Sequence, residues 1–146
     1  MEPHVLVVAN RTAATPHLAD AVRWRAARGP CRFTLLVPRD VHGLHLLVDP
    51  EDNGWEDAAR QIELARPRLE AAAGAPVETM IGCHEPLAAV QDALNLHGFD
   101  EVIVSTLSPR VSRWLRLDLP RKVAALGVPV TTVTARSHDM VREVVV

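Results

Sequence analysis

Three short clusters carry side chains suited to ligand or proton chemistry. Asn10-Arg11-Thr12 sets an amide, a guanidinium and a hydroxyl side by side. Gly82-Cys83-His84 places a thiol and an imidazole beside a glycine. Ser105, Thr106, Ser108 and Ser112 group four hydroxyls around one turn, and Arg110, Arg113, Arg116, Arg121 and Lys122 follow closely. Arg110 and Arg113, three apart, share a face if that stretch is helical. There they could grip a phosphate or an acidic partner. The plainer account is a solvated helix face, because charge runs usually face water. The hydroxyls have two readings of equal standing: hydrogen bonds to a ligand, or the turn and cap chemistry these residue types supply anyway.

His84 reads either as a ligand contact with a pH-dependent charge or as an exposed loop histidine, and the loop reading is favoured. His42 and His45 stand near Asp49, Glu51 and Asp52, but the spacing is weak and no cysteine pair accompanies it. No metal is expected. Cys31 precedes one strand and Cys83 follows the next. If those strands are parallel neighbours, the thiols lie roughly 20 Å apart at about 3.3 Å per residue, too far for a disulfide. Both are expected as reduced thiols.

Several enzyme classes lack their parts. There is no phosphate-binding P-loop and no Gly-x-Gly-x-x-Gly after the first strand. Neither a nucleophile elbow nor a Cys-x-x-Cys occurs. A phospho-receiver domain would need an acidic pocket where Ala9-Asn10 and Gly82-Cys83 stand. A small hydrolase or transferase stays the weakest reading, since no nucleophile–base pair can be named.

The elements that must position these clusters come from two alternating periods. His4–Ala9 is an apolar, β-branched run that reads as a strand buried on both faces. Pro16 to Arg28 has helical spacing and stops at Gly29-Pro30. Arg32–Val37 is the second strand. A connection from Arg39 to Asn53 follows, read as a surface loop, with a lid as the alternative. Trp55 to Ala73 carries the apolar stripe Trp55, Ala58, Ala59, Ile62, Ala65, Leu69 and Ala72, with a kink or break expected at Pro67. Val77–Ile81 is the third strand. Pro86 opens a helix burying Leu87, Val90 and Leu94, and His97-Gly98 closes it. Glu101–Ser105 is the fourth strand. A broken helical region carries Val111, Trp114 and Leu115, and Asp118 is placed to cap or charge-stabilise the start of the helix after it. Val128–Thr134 is the fifth strand, with Pro129 suiting an edge.

Strands separated by helices give an α/β fold, a doubly wound five-stranded parallel sheet with helices on both faces. Ligands in such sheets sit beyond the carboxyl ends of the strands, where the strand order reverses. That rule selects Asn10, Arg11 and Thr12 after strand one, Val37 and Pro38 after strand two, and Gly82, Cys83 and His84 after strand three. After strand four it selects Ser105, Thr106, Ser108, Arg110, Ser112 and Arg113.

The 146 residues make one domain, at 48% hydrophobic and 23% charged. Residues 1–135 are expected to form it, and 136–146 a tail that adds a strand or a dimer contact. A net charge of −2 excludes a globally basic nucleic-acid binder. Three Trp, two Phe and no Tyr leave little for base stacking. No apolar run approaches the roughly 18–20 residues of a membrane span. The start, Met-Glu-Pro-His, lacks the basic region of a signal peptide. A cytoplasmic protein without nucleic-acid or membrane partners is expected.

The order of elements, the Gly82 turn with Glu85-Pro86-Leu87-Ala88-Ala89-Val90, and Val111-Ser112-Arg113-Trp114-Leu115 resemble the universal stress protein family, in particular its small single-domain actinobacterial-type members. The resemblance spans roughly His4 to Thr134. It implies the Rossmann-like strand order 3-2-1-4-5. Nucleotide-binding members carry an Asp at the end of strand one and Gly-x2-Gly-x9-Gly-Ser/Thr after strand four. Here Asn10 takes the Asp position. The glycine positions fall near Val104, Leu107 and Leu117, and the terminal hydroxyl position becomes Asp118. Side chains thus stand where backbone should approach phosphates. A carboxylate about 4 Å from a phosphate, at an effective dielectric of ~20, repels by roughly 4 kcal/mol.

The expectation is a non-catalytic binding or regulatory module with weak or no ATP binding and no obligatory cofactor, ATP or AMP being the nucleotides to consider. The alternative is a nucleotide- or anion-binding protein that uses Asn10, the strand-four hydroxyls and the arginines. Related folds often dimerise through the fifth strand, so a homodimer is expected.

Overall fold

A computed structural model describes residues 2–40, 54–107 and 112–135. The 41–53 part of the long connection, Ser108 to Val111 and the 136–146 tail lie outside the described residues. The five strands are β1 (His4–Val8), β2 (Arg32–Pro38), β3 (Glu78–Gly82), β4 (Glu101–Leu107) and β5 (Val130–Ala135). All neighbours are parallel, in the order β3-β2-β1-β4-β5. The doubly wound sheet expected from the alternation is the sheet observed, with β5 at one edge and β3 at the other.

β1 is central because every residue of His-Val-Leu-Val-Val is buried. Side chains alternate across a strand. Val5 and Val7 therefore enter one core with Leu35, Val37 and Ile103, while Leu6 and Val8 enter the other with Leu36, Val102 and Val104. Helices α1 (Pro16–Ala27) and α2 (Trp55–Ala73) cover the first face through Leu18, Val22, Ala65 and Leu69. Helices α3 (Pro86–His97) and α5 (Leu119–Ala124) cover the second through Val90, Ala93, Leu119 and Val123. A single turn, α4 (Arg113–Arg116), precedes α5.

Three local expectations differ from the structure. Of the kink or break expected at Pro67, the break does not occur, since helix α2 continues through it. Pro67 and Glu63 both face solvent, so water can satisfy the Glu63 carbonyl that lost its donor. Trp55 is not part of the buried stripe; it is 56% exposed at the first helical position, and the stripe that reaches the core begins at Ala58. On α3 the fully buried face is Pro86, Ala89, Val90 and Ala93, with Leu87 and Leu94 packed at its margin. Small residues at the centre let α3 lie close to the sheet. Gly82, at the end of β3, is the counterpart: a Cβ there would stand 2.6 Å from the Ala89 Cβ and 3.0 Å from Leu36 Cδ1. Only glycine allows that approach.

Candidate functional site

The strand order reverses between β1 and β4, and a cleft of about 260 Å³ opens at their carboxyl ends. The turn after β1 contributes Asn10, Arg11 and Thr12. The ends of β3 and β4 bring His84, Ser105 and Thr106, and the start of α4 brings Ser112 and Arg113. Val37 and Gly82 do not line it. Val37 is fully buried in the α1–α2 core, and Gly82 is packed against Ala89. Ser108 and Arg110 lie outside the described residues. The wall also includes Pro38, Arg39 and Asp40 after β2, together with Pro86, Leu107 and Trp114. Sequence reasoning stopped strand two at Val37 and so missed Arg39 and Asp40. The parallel register that pairs Pro38 with Gly82 carries β2 one residue further and delivers them to the cleft.

The floor of the cleft is a hydroxyl pair. Thr12 Oγ1 and Ser105 Oγ are 2.6 Å apart, and both residues are buried. They tie the exit of β1 to β4 across the reversal point. Thr15 reinforces the turn, its Oγ1 donating to the Thr12 carbonyl at 2.8 Å while it caps α1. Thr106 Oγ1 lies 3.4 Å from Thr134 Oγ1. Ser112 Oγ accepts from the Leu115 N–H at 3.1 Å as the cap of α4. Ser112 thus serves as a cap, whereas Ser105 and Thr106 bond to hydroxyls of other elements; a hydroxyl holding one bond retains capacity for another.

Asn10 differs. Its Nδ2 donates to the Pro38 carbonyl at 3.0 Å, which fixes the direction of the amide. The opposite atom, Oδ1, is sequestered from solvent and has no hydrogen-bond partner among the described residues. A buried acceptor left unmade costs about 1–3 kcal/mol. It faces a need for a donor, not for an anion.

The charges form a rim. Arg11 Nη2 lies 3.6 Å from Asp40 Oδ2, with Arg11 59% exposed and Asp40 23% exposed at the side chain. Arg113 is exposed, and so is His84. Asp118 differs from the capping arm of its expected role. It holds the N-cap position of α5, yet its side chain makes no capping bond; its backbone is left-handed, at φ 57°. Its carboxylate points to Arg121 at 3.5 Å in solvent, and Asp118 does not line the cleft.

Among the described basic residues of that stretch, Arg113, Arg116, Arg121 and Lys122 are all exposed, as a solvated face requires. Cys31 and Cys83 are free thiols beyond opposite ends of neighbouring parallel strands. Burial pushes the Cys31 thiol above its ordinary pKa. His42, His45 and the acidic residues near them lie outside the described residues. Among the described residues no group of three metal-ligating side chains forms, and no helix is long and apolar enough to cross a membrane.

No family model and no curated protein matches the chain. Solved structures do. A universal stress protein in complex with cAMP shares 15% identity over 91% of this chain and 97% of its own, with a TM-score of 0.62. A universal stress protein from Archaeoglobus fulgidus in complex with dAMP shares 16% identity over 91% and 98%, with a TM-score of 0.61. A universal stress protein from Lactobacillus plantarum shares 18% identity over 92% and 97%, with a TM-score of 0.62. The chain therefore has the universal stress protein fold, as the resemblance of its sequence implied.

Proposed function

We propose that this chain is a universal stress protein-like regulatory module that binds a small, donor-bearing ligand in the β1–β4 cleft without transforming it. The observation that carries this reading is Asn10 in the cleft wall, whose buried Oδ1 has no hydrogen-bond partner among the described residues. An exocyclic amine or a ribose hydroxyl would satisfy it. The cAMP and dAMP in complex with two fold neighbours favour a nucleoside or nucleoside monophosphate. One feature supports weak or no ATP binding: of the positions that the resemblance matches to glycines, Leu107 stands in the described cleft wall, and its side chain keeps a polyphosphate from close backbone contact.

Thermal shift and calorimetry with adenosine, AMP, cyclic AMP and ATP test the proposal. A saturable shift with a nucleoside or monophosphate, weakened at least fivefold in Asn10→Ala, is expected. No shift with any of the four would overturn the ligand reading.

The module is further proposed to be a homodimer joined through β5, an edge strand with Thr131 and Thr132 exposed. Light scattering should give a mass of about 32 kDa, twice the 16.0 kDa chain. A single-chain mass at micromolar concentration removes the dimer.

A further inference from the structure

Asp40 is the one carboxylate among the described residues of the cleft wall, set against the guanidinium-bearing residues Arg11, Arg39 and Arg113. It is held in place from two sides. Arg11 meets its carboxylate at 3.6 Å. Gly54, at the start of α2, meets its backbone so closely that a Cβ on Gly54 would stand 2.7 Å from the Asp40 carbonyl oxygen. The left-handed φ of 82° at Gly54 is tolerated for the same reason, the absence of a side chain. The rim carboxylate is thus built into the junction of β2 and α2.

Its effect is on charge. Asp40 engages Arg11, and the described wall is left with a net of two positive charges from Arg39 and Arg113. That matches a phosphate monoester, which carries close to two negative charges at neutral pH. A triphosphate carries more charge than the wall can neutralise, and its additional phosphates would meet the Asp40 field.

We infer that Asp40 is a specificity-determining residue, which by holding Arg11 tunes the cleft to a monophosphate and against a polyphosphate. This rests on the ligand site proposed above. Removing the carboxylate abolishes one repulsion and releases Arg11 to the ligand. The effect grows with ligand charge and vanishes for a neutral nucleoside.

The test is calorimetry of the full chain and of Asp40→Asn with adenosine, AMP and ATP at one low ionic strength. The substitution is expected to raise ATP affinity about tenfold, AMP affinity about threefold and adenosine affinity less than twofold. Arg11→Gln, which leaves Asp40 without that guanidinium, is expected to lower ATP affinity further and to spare adenosine. It keeps the test open if Asp40→Asn does not fold. An ATP-to-AMP affinity ratio unchanged in both variants overturns the role of Asp40 and leaves the ligand site standing. If none of the three compounds gives saturable heat with any of the proteins, the ligand site itself fails, and the inference falls with it.

Discussion

Thr12 and Ser105 meet hydroxyl to hydroxyl at 2.6 Å across the point where the sheet reverses its order. The pair belongs to the two strands that diverge to form the cleft. It closes the cleft floor with groups that bond to each other and still keep lone pairs for a ligand. Because both residues are buried, neither hydroxyl can exchange its partner for bulk water without opening the sheet end.

That pairing predicts a non-additive mutant cycle. Thr12→Val or Ser105→Ala leaves the other hydroxyl buried without its partner, and each should cost about 1–3 kcal/mol. The double variant should cost clearly less than the sum, since it removes both polar groups. Urea denaturation of the four proteins measures this, and strict additivity would show that the two hydroxyls do not support one another.

Asn10 cannot be exchanged for aspartate without loss, although the resemblance places an Asp there. Its Nδ2 donates to the Pro38 carbonyl, and a carboxylate would set a charged acceptor against that oxygen. Asn10→Asp should destabilise the fold by about 1–3 kcal/mol at pH 7. The loss should shrink in mild acid, where a protonated carboxyl can donate again. Denaturation midpoints at pH 7 and pH 4.5, each taken against the wild-type chain, decide it.

Gly82→Ala tests how closely α3 lies on the sheet. The added methyl would stand 2.6 Å from the Ala89 Cβ, a contact that must displace the helix start. A loss of about 1–3 kcal/mol in thermal or urea unfolding is expected. A variant as stable as the parent would mean that α3 can shift freely. In that case the placement of Pro86 and His84 at the cleft would be equally soft.

His4 supplies a pH dependence at the opposite end of the sheet. Its ring is buried against Phe99, with centroids 4.2 Å apart, and Nε2 lies 2.6 Å from Thr34 Oγ1. Burial, followed by the Arg32 charge, lowers its pKa below 6.5, over the opposing pull of Glu78 and Asp100. The folded state therefore disfavours the proton that the unfolded chain accepts. The contribution is fully present above pH 6.5 and is lost as pH falls from there towards the depressed native value. Stability of His4→Gln, followed by urea titration between pH 8 and pH 5, should fall less steeply than that of the parent. Equal slopes would show that His4 is not the group responsible.

The strands, their order along the chain and the end of the sheet that holds the cleft were legible in the sequence. Val5–Val8 announces a strand buried on both faces because β-branched apolar residues without alternation have no solvated side to offer. The turns at Gly29, Gly74 and Gly98 mark helix ends through local backbone chemistry. These signals are carried by neighbours along the chain. The content of the cleft is not. Thr12 and Ser105 are 93 residues apart, and no spacing pairs them; parallel register and the reversal of strand order do. The same geometry brought Asp40 to the rim beside Arg11. Local propensity sets what each segment becomes, but which side chains face one another depends on how segments distant in sequence stack, and only the packed sheet decides that.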